Sequence, residues 1–181
     1  MEIGRFAPSP SGRMHLGNVF SAMLAWLSVK SVGGTMILRI EDLDPDRCRP
    51  EYAEQLKRDL EWLGLGWDTE QTPQSQRTAA YAEAFSRLDT YPCYCSRAQR
   101  LAASAPHPGE QQEFGCHCRF LTEEEKLVFA KNHRKPAYKI RMDSCNIDFI
   151  DGHYGPQHFS MVAGQDDFII RRADGVFAYQ L

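Results

Sequence analysis

Between residues 2 and 40 one pattern constrains the fold more than any other. Residues 2–7 read as a short strand that runs into a turn-rich loop, Pro8-Ser9-Pro10-Ser11-Gly12. Val19, Ala22, Met23, Trp26 and Leu27 then recur at helical spacing, which predicts a helix with those five residues turned inward. Gly33-Gly34 ends it. Residues 35–40 (TMILRI) form a compact apolar run that predicts a buried strand. A strand, a crossover helix and a second apolar strand make the βαβ unit of a parallel sheet, so the fold class is α/β.

The chain of 181 residues has room for one domain and a modest second lobe. Pro50 suits a first helical position, with Tyr52, Leu56, Leu60 and Leu63 as that helix's apolar face and Gly64 closing it. Residues 77–88 predict a further helix with Tyr81, Phe85 and Leu88 inward. From Tyr91 the character changes: cysteines, Pro106, Pro108 and Gly109 replace regular periodicity. Thr122 with Glu125 predicts a capping box. Residues 137–142 and 147–150 read as strands, and 168–171 and 176–179 flank Ala173-Asp174-Gly175 as a hairpin. The expected organisation is a first lobe over 1–90, an insertion lobe over 91–165, and a hairpin over 166–181 returning to the first lobe.

Composition narrows the function. A chain 43% hydrophobic and 25% charged is neither disordered nor collagen-like nor a coiled coil. No eighteen-residue apolar run occurs, and Met1-Glu2-Ile3-Gly4-Arg5 lacks the basic-then-apolar pattern of a signal peptide, so a cytoplasmic protein with no membrane partner is expected. The net charge of −3 excludes a globally basic nucleic-acid binder. Any such contact must come from a local patch.

Two clusters carry chemistry at the strand ends. In the first, a strand stops, a Pro/Gly loop turns, and a helix opens at His15-Leu16-Gly17-Asn18. A helix N-terminus there suits an anion. His15 can hydrogen-bond a phosphate oxygen, the bare Gly17 lets a flat ring lie against the backbone, and Asn18 adds a neutral donor. The alternative is an ordinary connecting loop with a surface histidine. In the second cluster, Glu41-Asp42-Leu43-Asp44-Pro45 follows a buried strand, where open α/β sheets bind ligands and a carboxylate can take an ammonium group. The alternative is a solvated acidic turn.

Six cysteines in a reducing compartment point to metal more than to disulfides. Cys93-x-Cys95 and Cys116-x-Cys118 offer four thiolates, the donor set of a tetrahedral structural zinc, in a lobe where metal binding supplies folding free energy. The alternative is two incidental surface pairs. Cys48 and Cys145 read as small buried or half-buried side chains.

Taken together the residues resemble class I aminoacyl-tRNA synthetases of the glutamyl type. FAPSPSG followed by HLGN is similar to the first signature, LRIEDLDP to the second conserved loop, and LEWLGLGWD and DFIIRRADGVFAYQL to later segments, in family order. The short insertion, RIEDLDP and RRADGVFAYQL are most similar to the glutamyl-Q branch, which lacks an anticodon-binding domain. The resemblance implies the first half of a Rossmann-like nucleotide-binding fold with an inserted small zinc-binding α+β lobe. It implies ATP-dependent activation of L-glutamate and transfer to the queuosine base of tRNA(Asp), by a monomer, with magnesium accompanying ATP. By residue, it implies Arg5 on the side-chain carboxylate of glutamate, Ala7 and Ser9 lining that pocket, Glu41 on the α-ammonium, and Tyr179 closing the pocket. His15 and Asn18 would face the ATP phosphates as the catalytic pair, with Gly17 on the adenine. Asn18 stands where the full signature has a second histidine.

The family departs from this chain at the metal. The glutamyl-Q branch carries Cys-x-Cys and then Tyr-x3-Cys, with the tyrosine as a ligand, and Phe114 stands in the tyrosine's place. Some full-length glutamyl enzymes use a histidine two residues after the last cysteine, and here that residue is Phe120. Cys116 is therefore the expected fourth ligand, with His117 the second choice.

Other features stay outside the site. His107, His133, His153 and His158 read as surface or structural, and Trp26, Trp62 and Trp67 as core. Residues 131–141 hold five formal positive charges and no acid, which suits an RNA backbone or else a solvated helix end and an edge strand. Arg171 and Arg172 face a cleft or solvent. Competing functions are an N-terminal fragment of a glutamyl-tRNA synthetase charging tRNA(Glu), and a non-catalytic zinc-stabilised nucleotide- or RNA-binding module. The family pattern continues past Leu181 into a second glutamate-binding arginine and a KMSKS-like lysine loop, so weak activation by these 181 residues alone is expected.

Overall fold

Parallel pairing of the first two strands builds the N-terminal part of the molecule. The computed structural model describes residues 2–96, 116–132 and 135–181. Two compact units divide at Glu83/Ala84, and each is described by itself. In the first, β1 (Ile3–Phe6) leads through a loop to α1 (Leu16–Lys30), β2 (Thr35–Arg39), α2 (Pro50–Trp62) and β3 (Thr69–Gln71). The sheet is parallel in the order β1-β2-β3, with Arg5 opposite Ile37 and Phe6 opposite Leu38. This is the βαβ arrangement expected from the sequence.

The core lies on one face of that sheet. Leu38 and Ile40 meet Ala22 of α1 and Leu56 and Leu60 of α2, with Phe6, Met14 and Trp67 packed around them. Each fully buried leucine contributes about 1.5–3 kcal/mol. Close approach of α1 to β1 requires Gly4, because a Cβ there would stand 2.2 Å from Val29 Cγ2. The inward face of α1 differs from the expected one. Ala22 and Val29 are buried, whereas Met23 and Leu27 are exposed beside Leu16, Phe20 and Leu24. The helix is apolar nearly all round, so spacing gave no contrast between faces, and small side chains are what fit against the sheet. On α2, Leu56 and Leu60 turn inward as expected, but Leu63 is exposed, and Trp62 is 85% exposed instead of core. Trp26 donates Nε1–H to Gly66 O at 2.8 Å. Asp68 accepts from Lys30 Nζ and from the Met36 N–H, both at 2.6 Å, tying the end of α1 to the sheet.

A single turn of 3₁₀ helix (Gln74–Arg77) and α3 (Thr78–Ser86) carry the chain into the second unit. There β4 (Thr90–Cys93) precedes a 3₁₀ turn (His117–Phe120), α4 (Glu123–Lys131), β5 (Ala137–Ile140), a hairpin of β6 (Cys145–Asp151) and β7 (Gly155–Met161), and β8 (Ile169–Arg171). The Thr122/Glu125 capping box opens α4 as expected. The sheet order is β4-β5-β8, all antiparallel, so residues 137–140 are the central strand and not an edge. Residues 176–179 form a single bridge, Arg171 with Phe177, in place of a full strand. Arg171 faces neither cleft nor solvent: its guanidinium stacks on Phe85 at 5.6 Å and on Phe177 at 5.4 Å. Arg172 pairs with Asp174 at 2.6 Å. Cys145 is exposed, Cys48 is half-buried, and His153 and His158 lie at the surface. Pro106, His107, Pro108, Gly109, Phe114, His133 and Arg134 lie outside the described residues. Among the described residues no helix is long and apolar enough to cross a membrane.

Candidate functional site

The loop after β1 is clamped at both of its prolines. Pro8 O accepts the Glu41 N–H at 3.0 Å, and Pro10 O accepts the Arg49 N–H at 3.1 Å. Both prolines are buried, so the loop is fixed against the exit of β2 and the start of α2. Its far end is closed by a reciprocal cap. His15 Nδ1 accepts the Gly17 N–H at 3.1 Å, and Asn18 Oδ1 accepts the His15 N–H at 3.2 Å. Accepting at Nδ1 places the imidazole proton on Nε2. The cap thus consumes one acceptor from each side chain and leaves His15 Nε2–H and the Asn18 amide N–H groups as donors at the helix N-terminus. Gly17 has a local reason to lack a side chain: a Cβ there would stand 3.0 Å from His15 Cε1. The bare backbone expected to receive a flat ring is faced here by the imidazole.

Glu41 sits just past the end of β2 and is not a solvated acid. Its side chain is 3% exposed, and Oε1 pairs with Arg39 Nη2 at 2.5 Å. The backbone bond to Pro8 brings it beside the Ala7–Ser9 turn. Asp42 is committed to structure, accepting from both the N–H and the hydroxyl of Ser75 at 2.9 and 2.7 Å. Arg5 and Ser9 are exposed and Ala7 is half-buried. Arg5, through its register with Ile37, shares the sheet face that also carries Arg39, opposite the core. The first unit therefore brings Arg5, Ala7, Ser9, His15, Gly17, Asn18 and Glu41 to one end of β1 and β2. Tyr179 belongs to the second unit, where it is exposed.

In the second unit the four paired cysteines converge. Their sulfurs all lie within 4.8 Å of one another. The Cys93–Cys116 separation is 3.4 Å, Cys95–Cys116 is 3.6 Å and Cys95–Cys118 is 3.7 Å. Four thiolates bonded to one zinc at about 2.3 Å stand ~3.8 Å apart, so the residues present fit a tetrahedral ion. His117 is exposed and is not part of the cluster. The Tyr94 N–H donates to Cys118 Sγ at 3.3 Å. The hydrogen bond from Cys116 holds Cys93 down at about 5, the same bond pushes Cys116 up, and burial pushes Cys95 up to about 11. Four thiols this close do not ionise together unless a cation balances them.

A buried ion-pair hub supports this centre. Asp167, with no exposed side-chain surface, accepts from Arg119 Nη1 at 2.6 Å, from the Tyr91 hydroxyl at 2.8 Å and from the Met142 N–H at 3.0 Å. Arg119 directly follows Cys118, and Tyr91 lies two residues before Cys93.

A family model described as tRNA synthetases class I (E and Q), catalytic domain, matches residues 3–181. The chain belongs to that family. Curated glutamyl-Q tRNA(Asp) synthetases of Nitratidesulfovibrio vulgaris and Symbiobacterium thermophilum are each 46% identical to this synthetase-family chain, over 98% and 100% of it. The matches cover 59% and 60% of those relatives, so the chain spans about three-fifths of their length. Among solved structures, a glutamate tRNA ligase from Elizabethkingia meningosepticum in complex with its amino acid matches with a TM-score of 0.75 at 25% identity. That match covers 98% of this chain and 39% of that one. The glutamate-tRNA synthetase of Elizabethkingia anophelis gives the same TM-score at 27% identity, covering 98% of this chain and 40% of its own. The fold of this class I synthetase chain is thus a Rossmann-like α/β one.

Within this synthetase fold several functional-looking residues escaped the sequence. Arg39 sits inside the RIEDLDP phrase but carried no assigned role, and its i, i+2 spacing from Glu41 on one strand face was the available signal. Arg119 and Asp167 lie 48 residues apart, and no local pattern announces them.

Proposed function

We propose that this chain holds the ATP- and glutamate-binding part of an enzyme that activates L-glutamate and transfers it to the queuosine base of tRNA(Asp). The observation that carries the reading is the pairing of a buried carboxylate at the exit of β2 with a capped helix N-terminus at the end of the loop that its backbone clamps. Glu41 takes the substrate ammonium beside Ala7 and Ser9, and Arg5 takes the side-chain carboxylate through its guanidinium fork. His15 Nε2–H and the Asn18 amide donate to ATP phosphate oxygens. The glutamate α-carboxylate attacks the α-phosphate in line, forming a P–O bond as the bond to pyrophosphate breaks and yielding glutamyl-adenylate. Positioning and charge stabilisation carry this step, with no protein nucleophile. Magnesium accompanies the ATP phosphates.

In the same proposal residues 1–90 supply the first half of the catalytic domain, 91–165 the insertion lobe, and 166–181 the returning hairpin, in a cytoplasmic monomer. Cys93, Cys95, Cys116 and Cys118 hold one structural zinc. ATP–pyrophosphate exchange with L-glutamate, without tRNA, tests the activity on this chain and on one extended to the length of its relatives. Exchange by the extended chain, weak in the shorter one, supports the reading. The likeness to solved glutamate-tRNA ligases favours charging of tRNA(Glu) as the second reading, and exchange that requires tRNA selects it.

A further inference from the structure

The pairing of Arg39 with Glu41 does more than neutralise a buried acid. Glu41 has a side chain 3% exposed, and Arg39 one 15% exposed. The two lie two residues apart, so both project from the same side of the extended chain as it leaves β2. Arg39 commits Nη2 to Glu41 Oε1 at 2.5 Å. Its Nε is buried with no hydrogen-bond partner, the one such side-chain atom among the described residues. Native structures seldom leave a buried N–H unmade, and a case that persists calls for an explanation. A shorter or apolar residue at position 39 would avoid that cost.

The explanation lies in what the pair leaves open. Among the described residues Glu41 Oε2 accepts from no protein donor, and it is not one of the buried unpartnered atoms, so the little exposure the side chain keeps lies at that oxygen. A nearly buried carboxylate with one oxygen held and the other open has room for one more donor. A primary ammonium supplies both the hydrogen bond and the charge.

We propose that Arg39 is a positioning residue for Glu41: it anchors Oε1 so that Oε2 is the fixed acceptor for the ammonium of an α-amino-acid substrate. This rests on the assignment of Glu41 to the substrate ammonium given above. The half-buried guanidinium holds Oε1 through one short charge-assisted bond from a planar, preorganised group, which a flexible lysine ammonium does not reproduce. Arg39 touches no substrate atom itself.

The test compares two probes, L-glutamate and glutarate, which share a carbon skeleton and differ by the α-ammonium. Binding of each to this chain is measured by calorimetry or ligand-observed NMR. The wild type is expected to prefer L-glutamate by about tenfold, the value of a charged hydrogen bond of ~1.4 kcal/mol. Arg39→Gln is expected to bring that ratio to about one while glutarate affinity changes less than twofold. Arg39→Lys, which keeps the charge and serves if the glutamine variant does not fold, is expected to lower the ratio at least threefold. Glu41→Gln should also abolish the preference. If Glu41→Gln abolishes it and either folded Arg39 variant keeps the wild-type ratio, the positioning role is wrong while the Glu41 assignment stands. If both probes weaken together in the Arg39 variants, the residue is only structural and the proposal falls. If the wild type shows no preference, the Glu41 assignment and the proposal fall together.

Discussion

The hydroxyl of Tyr91 donates to Asp167 Oδ2 at 2.8 Å across 76 residues of sequence, inside the second unit. The same carboxylate takes Arg119 and the Met142 N–H, so one side chain joins β4, the cysteine-bearing 3₁₀ turn, the exit of β5 and the approach to β8. Removing one partner of a buried pair strands the other's charge at a cost of about 3–5 kcal/mol. Asp167→Ala is expected to destabilise the second unit by about that amount. Loss of its near-ultraviolet circular dichroism at a lower urea concentration than the wild type checks this.

Acid should act through the same residue. Burial alone pushes the Asp167 carboxyl up, but Arg119, the Met142 N–H and Tyr91 outweigh it and hold the group below its ordinary value. The unfolded chain then takes up a proton before the folded one does. The contribution is complete above the unfolded value of about 3.9 and is lost as pH falls through the lower folded value. Unfolding free energy measured against pH should therefore fall below about pH 4 in the wild type, with a flatter profile in Asp167→Asn.

The metal centre gives a sharper test. Zinc analysis is expected to find one ion per chain. Cys116→Ser should lose most of it, and His117→Ala should retain it, because the Cys116 sulfur lies 3.4 Å from Cys93 while His117 stands outside the cluster. Chelation should lower the melting temperature of the second unit, since binding free energy at a structural site is folding free energy. Full zinc in Cys116→Ser would sink the four-cysteine assignment.

How far these features could be read from the sequence depended on their range. The cysteine pairs were legible because thiols at x1 spacing are a local signal with few other uses. The β1–α1–β2 unit was legible because two apolar strands around a helix admit few arrangements. The inward face of α1 was not, because Leu16, Phe20, Met23, Leu24, Trp26 and Leu27 leave no polar side to give a period its phase. The central position of β5 was hidden because Lys139 and Arg141 gave it the look of an edge. Arg141 instead lies over the Tyr91 ring at 5.1 Å. The Tyr91–Arg119–Asp167 hub was invisible because its members meet only in three dimensions.

The cap of α1 predicts coupled losses. His15 and Asn18 each satisfy a backbone N–H of the other's turn. His15→Ala or Asn18→Ala is expected to cost the first unit about 0.5–2 kcal/mol. The double variant should cost less than the sum of the two, since the arms share one turn. Gly17→Ala should cost a similar amount by pressing a Cβ to 3.0 Å from the His15 ring. Thermal melts of the four variants read the cycle, and strict additivity would show that the two arms act independently.

The orientation of α1 can be checked by substitutions that the sequence pattern alone would rank the other way. Periodicity puts Leu27 in the core, yet it is 50% exposed, as is Leu24, whereas Ala22 is 2% exposed against Leu38 and Leu56. Leu27→Gln and Leu24→Gln are expected to move stability by no more than about 0.5 kcal/mol, the ordinary range for surface positions. Ala22→Leu, which inserts three carbons where α1 meets the sheet, should destabilise by about 1–3 kcal/mol through overpacking. Urea titration of the three variants decides between the two orientations. A large loss in Leu27→Gln with tolerance of Ala22→Leu would mean that the helix is rotated from the face described here.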